Sequence, residues 1–229
     1  MKINPNFSWN NRTNANYYER ANLSQFVEDA GLASCPELSV VQSYLWEAKK
    51  LLEVGANYGR VLDYLLAQGF KGEIDAIERS EHCCNILKQK YHDVVTIFHA
   101  DLMGFFPQEK YDAVLWLWSG ISDFSREEQL LVIKHLAGLL NSQGTLIIET
   151  TCHERPMANN GSAENQQEYN IFDEEVVICG YRPSPEEVIQ MGGEADLKLV
   201  KFTEYYTTTQ VPRRLFVFQR DADATLKKR

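Results

Sequence analysis

Three acids in this chain each close an apolar run. They are Glu53 after Leu51-Leu52, Glu78 after Ile74-Asp75-Ala76-Ile77, and Asp101 after Phe98-His99-Ala100. The first opens the turn Glu53-Val54-Gly55-Ala56-Asn57-Tyr58-Gly59-Arg60, and Val61-Leu62-Asp63-Tyr64-Leu65-Leu66 then reads as a helix. Gly55 and Gly59 carry no Cβ, so the backbone can bend sharply there and admit a ligand close to it. The free N–H groups of the helix that follows point at whatever occupies the crevice. A carboxylate accepts two hydrogen bonds at once, which suits the cis-diol of a ribose. Together these residue types describe a site for a nucleotide-like cofactor.

The spacing selects which one. The turn reads G-A-N-Y-G and not G-x-G-x-x-G, so it is not the dinucleotide fingerprint. It resembles motif I of the class I S-adenosylmethionine-dependent methyltransferases, an acid-x-Gly-x-Gly-x-Gly turn often followed by Arg. Glu53, Gly55, Gly59 and Arg60 match, while Asn57 replaces the middle Gly. Asn tolerates positive φ better than most side-chain-bearing residues. The resemblance covers residues from about 45 to 150 and places Glu78, with Arg79 beside it, at the ribose hydroxyls. It places Asp101, with Leu102, at the adenine amino group, and Tyr111-Asp112-Ala113-Val114-Leu115 on the fourth strand. Gly55, Ala56, Asn57 and Gly59 then form the cofactor turn, and Trp118 at the end of strand four lines the pocket.

Elements that position these residues follow from periodicity. Strands are expected near 50–55, 73–78, 94–100, 111–118 and 144–150, each followed by a helix or an irregular piece. Alternation of this kind predicts an α/β, doubly wound parallel sheet. Two more extended runs, 197–207 and 214–219, predict an antiparallel pair at one edge. The resemblance implies seven strands in the order 3-2-1-4-5-7-6. Residues 1–48 read as an N-terminal helical lid and 49–229 as the core, with an insertion at about 152–183. Within the lid, the first 16 residues are Asn-rich and carry no apolar periodicity. Leu23, Phe26, Val27 and Ala30 form a helical face stopped by Gly31, and Ser34 with Glu37 reads as a capping box. Residues 174–178 suggest an extra strand inside the insertion.

Methyl transfer from a sulfonium needs alignment and exclusion of water rather than a fixed catalytic triad. The candidates around an acceptor are Tyr17, Tyr18, Asp123, His153 and Tyr169, with His153 or Tyr169 as a general base or as a wall of the pocket. Net charge is −9, with no dense Lys/Arg cluster outside Lys227-Lys228-Arg229, which disfavours a nucleic-acid substrate. Five cysteines without C-x-x-C spacing read as reduced thiols, and no apolar run approaches the roughly 20 residues of a membrane span. The N-terminus lacks the apolar core of a signal peptide, so a cytoplasmic location is expected. The leading expectation is a methyltransferase for a small organic molecule, using S-adenosylmethionine. A protein or tRNA methyltransferase would instead need an exposed groove, basic in the case of RNA. A noncatalytic sensor of the cofactor is the reading that Asn57 favours.

Overall fold

The computed structural model describes residues 23–152, 168–173 and 176–221. Two short helices, α1 (Leu23–Asp29) and α2 (Pro36–Val41), precede the first strand, β1 (Lys50–Val54). Then follow α3 (Arg60–Ala67), β2 (Glu73–Glu78), α4 (Glu81–Tyr91), β3 (Thr96–His99), β4 (Tyr111–Trp116), α5 (Arg126–Leu139) and β5 (Leu140–Thr151). A hairpin of β6 (Glu168–Asp173) and β7 (Val176–Tyr181) comes next, then α6 (Pro185–Glu194), β8 (Leu197–Tyr206) and β9 (Pro212–Arg220).

The main sheet runs β3-β2-β1-β4-β5-β9-β8, parallel from β3 through β5, with β9 antiparallel to both β5 and β8. With the inserted hairpin set aside, this is the expected order 3-2-1-4-5-7-6. Strand residues alternate between the two faces. Leu52, Val54, Val114, Trp116, Ile148 and Phe216 pack on one side, and Leu51, Ala113, Leu115, Ile147 and Val217 on the other. Both faces are covered, which is why these strands read as continuous apolar runs. The strand expected near 174–178 is one arm of a separate two-stranded hairpin, with residues 174 and 175 outside the described residues.

Local signals hold at most helix ends. Ser80 caps α4, and Ser125/Glu128 and Ser184/Glu187 form reciprocal capping boxes on α5 and α6. The Ser34/Glu37 box does not form. Cys35, at φ 51°, is the residue before α2, and the Glu37 carboxylate is buried against Arg60. On α1 Val27 is fully buried, while Phe26 is exposed and packs on Trp118 with ring centroids 5.8 Å apart. On α5, Val132, Leu136 and Leu139 are buried. Leu131 is exposed, and Gln129 is buried, donating to the carbonyls of Ile121, Phe124 and Tyr181. Strand β4 ends at Trp116, two residues short of the expected bound, so Trp116 and Trp118 do not share a strand face.

Candidate cofactor site

The site lies at the carboxyl ends of β1 and β4, where the strand order reverses, as expected for ligands of open α/β sheets. Gly55 at φ 74°, Asn57 at φ 54° and Gly59 at φ 90° all lie in the left-handed region, so Asn57 takes up the turn conformation that its replacement of Gly put in question. A Cβ on Gly55 would meet nothing within 4 Å, whereas one on Gly59 would lie 2.2 Å from the Tyr91 hydroxyl. Gly55 therefore leaves open space beside the turn, and Gly59 is required by packing. The Tyr91 hydroxyl oxygen lies 2.7 Å from the Gly59 carbonyl oxygen and 2.9 Å from Asp63 Oδ1, which fixes the start of α3.

A small solvent-open cleft runs along this turn, lined by Glu53, Gly55, Asn57, Tyr58, Leu117 and Trp118 among others. Glu53 is 5 % exposed, and its Oε2 has no hydrogen-bond partner among the described residues. Burial pushes its carboxyl up to about 8; the Arg60 charge opposes this shift, and Glu78, Glu37 and Asp63 add to it. The Asn57 side-chain oxygen is likewise buried without a partner.

Glu78 does not stand idle at the end of β2, although the sequence suggests no structural reason for an acid there. Its Oε2 accepts the Asn57 N–H at 2.8 Å, and its Oε1 accepts the N–H groups of Arg79 and Ser80, each at 2.8 Å. The carboxylate thus ties the turn after β1 to the turn after β2, with Arg79 half-buried next to it. Asp101 is exposed and accepts the Met103 N–H at 2.9 Å, capping the short turn Leu102–Gly104; Leu102 packs at the edge of the core. His99 is exposed, with Nε2 3.0 Å from the Arg79 carbonyl oxygen. Ala56 is buried in the turn. Asp123 ends a short turn (Gly120–Asp123) after β4 and is half-buried. Tyr17, Tyr18 and His153 lie outside the described residues. Tyr169 pairs with Gly180 in the β6–β7 hairpin, and its side chain is likewise outside the description.

Two buried networks beneath the cleft were not anticipated. In the first, Arg60 Nη1 is 2.5 Å from Glu37 Oε1, and donates to the Leu32 carbonyl at 2.8 Å and to Cys35 Sγ at 3.1 Å. Burial pushes Glu37 up to about 6 against the pull of Arg60, and burial pushes the Cys35 thiol up to about 12. In the second, Glu149 on β5 accepts from the Trp118 N–H at 2.5 Å, the Tyr205 hydroxyl and Arg213 Nε. Burial alone would lower the Arg213 pKa, but the Glu149 carboxylate beside it raises it further. Glu149 carried the same signal as Glu53 and Glu78, an acid closing the apolar run Leu146-Ile147-Ile148. Its partners 56 and 64 residues away had none.

No protein-family model matches the chain, and no curated protein sequence does. Solved structures do. The 1,6-didemethyltoxoflavin-N1-methyltransferase of Burkholderia thailandensis, solved with 1,6-didemethyltoxoflavin and S-adenosylhomocysteine, superposes with a TM-score of 0.70 at 13 % identity, over 96 % of this chain and 92 % of that one. The magnesium protoporphyrin IX methyltransferase of Synechocystis, with S-adenosylmethionine bound, gives 0.67 at 16 % identity over 93 % and 97 %. The N-methyltransferase NodS of Bradyrhizobium japonicum, with S-adenosylhomocysteine, gives 0.65 at 12 % identity over 90 % and 96 %. Sheet order, the left-handed turn after β1 and this likeness agree: the chain has the fold of the class I S-adenosylmethionine-dependent methyltransferases.

Proposed function

We propose that this protein is a methyltransferase that takes its methyl group from S-adenosylmethionine and delivers it to a small organic molecule. The observation that carries the reading is Glu53, buried with its Oε2 lacking a hydrogen-bond partner among the described residues, on the wall of a cleft that starts at a glycine turn. A buried polar group left unpaired costs about 1–3 kcal/mol, and a cationic ligand group would relieve that cost. The cofactor fits this donor set. Its ammonium would meet Glu53, its backbone-proximal part the open space at Gly55, its ribose Glu78 and its adenine the Asp101–Leu102 turn. When bound, it supplies an electrophilic methyl group with a neutral leaving group. The chain's own residues bind and orient, and Trp118 with Leu117 excludes water from the β4 side of the cleft.

The acceptor class rests on the lack of a dense Lys/Arg cluster outside the last three residues and on the solved structures the chain resembles, one of which holds 1,6-didemethyltoxoflavin. On the sequence reading, residues 1–48 supply the lid and Tyr17, Tyr18, His153 and Tyr169 are the acceptor-side candidates; the side chains of these four lie outside the described residues. Among the described residues no helix is long and apolar enough to cross a membrane. Calorimetric titration tests the reading. S-adenosylmethionine and S-adenosylhomocysteine are expected to bind in the micromolar range; a response to NAD with none to either ligand overturns it. A cofactor-bound crystal structure, with hydrogen exchange on residues 1–31, tests the acceptor side. Protection of that segment and a cavity beside the methyl position support an enzyme, and fixed side chains filling that position reject one.

A further inference from the structure

Trp118 and Ser119 follow β4 with φ of 51° and 58°, two consecutive non-glycine residues in the left-handed region. Such backbone persists only where its surroundings over-determine it. Here the surroundings are specific. The Glu149 carboxylate, fully buried, accepts the Trp118 N–H, and the same carboxylate is held by the Tyr205 hydroxyl and by Arg213 Nε. Arg213 is 3 % exposed, and its Nη2 reaches Ser119 Oγ at 2.9 Å. One guanidinium therefore grips the elbow at two points, directly at Ser119 and through Glu149 at Trp118.

Tyr205 and Arg213 face each other across the β8–β9 pair. The turn joining these strands grips the N-terminal segment. Thr208 N–H donates to the Gly31 carbonyl at 3.1 Å, and Thr209 Oγ1 donates to the Asp29 carbonyl at 3.2 Å. A Cβ on Gly31 would stand 2.5 Å from the Thr209 nitrogen, so the approach admits no side chain. Asp29 ends α1, and Phe26 of α1 rests on the Trp118 ring. The hairpin end thus fixes Trp118 from two directions, its backbone through Glu149 and its ring through α1.

We infer that Trp118 is the side chain that sets the β4 wall of the cleft, and that Glu149, Tyr205 and Arg213 are positioning residues that hold it there. The link to cofactor binding rests on the methyltransferase reading; the grip on Trp118 does not. Both parts can be measured in the full chain labelled with fluorotryptophan, which contains four Trp residues. Trp118→Phe assigns the Trp118 fluorine resonance. Trp116, 2 % exposed and packed on Phe124 at 5.7 Å, serves as the core control.

In the wild type the Trp118 line is expected to be narrow and to shift on saturation with S-adenosylhomocysteine. Tyr205→Phe removes one hydroxyl and keeps the ring, and Arg213→Lys removes the fork and keeps the charge. Each is expected to split or broaden the Trp118 line, leave Trp116 in place and weaken S-adenosylhomocysteine binding about tenfold, the worth of one hydrogen bond to a charged group. Glu149→Gln is the stronger perturbation, and the two milder variants stand if it fails to fold. A Trp118 line identical to wild type in both variants overturns the inference, as does equal movement of Trp116 and Trp118, which would mean general loosening. If the wild type does not bind S-adenosylhomocysteine, the methyltransferase reading falls, while the ligand-free spectra still decide the positioning role.

Discussion

Replacing Glu53 by Gln keeps the shape of the protonated side chain and removes its titration. With its carboxyl near 8, Glu53 is about nine-tenths protonated at pH 7 and about half ionised at pH 8. An incoming α-ammonium that sits beside its own carboxylate, as in a free amino acid, stays charged up to about pH 8. The binding-competent pair is an ionised Glu53 with that ammonium, so affinity follows the ionised fraction of Glu53. That fraction is about 0.01 at pH 6, about 0.09 at pH 7 and about 0.5 at pH 8. S-adenosylhomocysteine should therefore bind about fiftyfold more tightly at pH 8 than at pH 6. Calorimetry at pH 7, in two buffers of different ionisation enthalpy, should count release of roughly 0.9 proton per ligand, the proton leaving Glu53. Glu53→Gln should bind more weakly, lose the rise between pH 6 and 8, and release no proton. A wild-type affinity that is flat across that interval would refute the reasoning, because it would mean that Glu53 is already ionised or does not meet the cation.

The same carboxyl makes the fold itself sensitive to pH. The folded chain retains a proton that the unfolded chain releases above about 4.5, so stability is full below that pH and declines up to about pH 8, by as much as about 5 kcal/mol; thermal melts of Glu53→Gln should lack this decline. Glu78→Ala and Asp101→Ala should each weaken S-adenosylhomocysteine binding by about 1–3 kcal/mol. Glu78→Ala should also lower the melting temperature, since it strands three backbone N–H groups; unchanged titrations for both variants would make these acids purely structural. Gly59→Ala drives a Cβ into the Tyr91 hydroxyl at a left-handed position and should destabilise by about 1–3 kcal/mol from the backbone alone, more with the clash, as read by urea unfolding. Glu37→Ala leaves Arg60 buried and unpaired and should cost about 3–5 kcal/mol in the same assay.

How much of this was legible follows from the range of each signal. Strands covered on both faces announce themselves as apolar runs, and an acid that closes one marks its end. Glu53, Glu78 and Asp101 were singled out that way, and Glu53 lines the cleft. Capping boxes are equally local, and Ser125/Glu128 and Ser184/Glu187 formed as read. Ser34/Glu37 has the same spacing and failed, because Arg60, 23 positions further along, takes the Glu37 carboxylate into the interior. Trp118 lines the cleft, but not as the end of a strand. It lies beyond β4 and is held by a carboxylate on β5 that is itself held from β8 and β9. Such a chain of partners has no period and no motif, so no local window can display it.

The two networks explain why Glu53 is left to respond to a ligand. Beneath the cleft, Arg60 is matched by Glu37 and Arg213 by Glu149, so these four charges balance at neutral pH. Glu53 has no such partner among the described residues, and burial keeps it protonated. Were Glu53 only structural, an apolar side chain of similar size would serve the fold better, since removing a buried, unpaired polar group is commonly neutral or stabilising. The same carboxyl becomes favourable once a cation enters the cleft, because the charge it then carries has a partner in a medium that screens poorly. The balanced pairs on either side hold the walls still, through α2 and Trp118, while that one proton is exchanged for the ligand's charge. A site built in this way favours a ligand whose inner end is cationic. An anionic group in the same position would face the Glu53 carboxyl at high pH and would gain only the N–H groups at the start of α3.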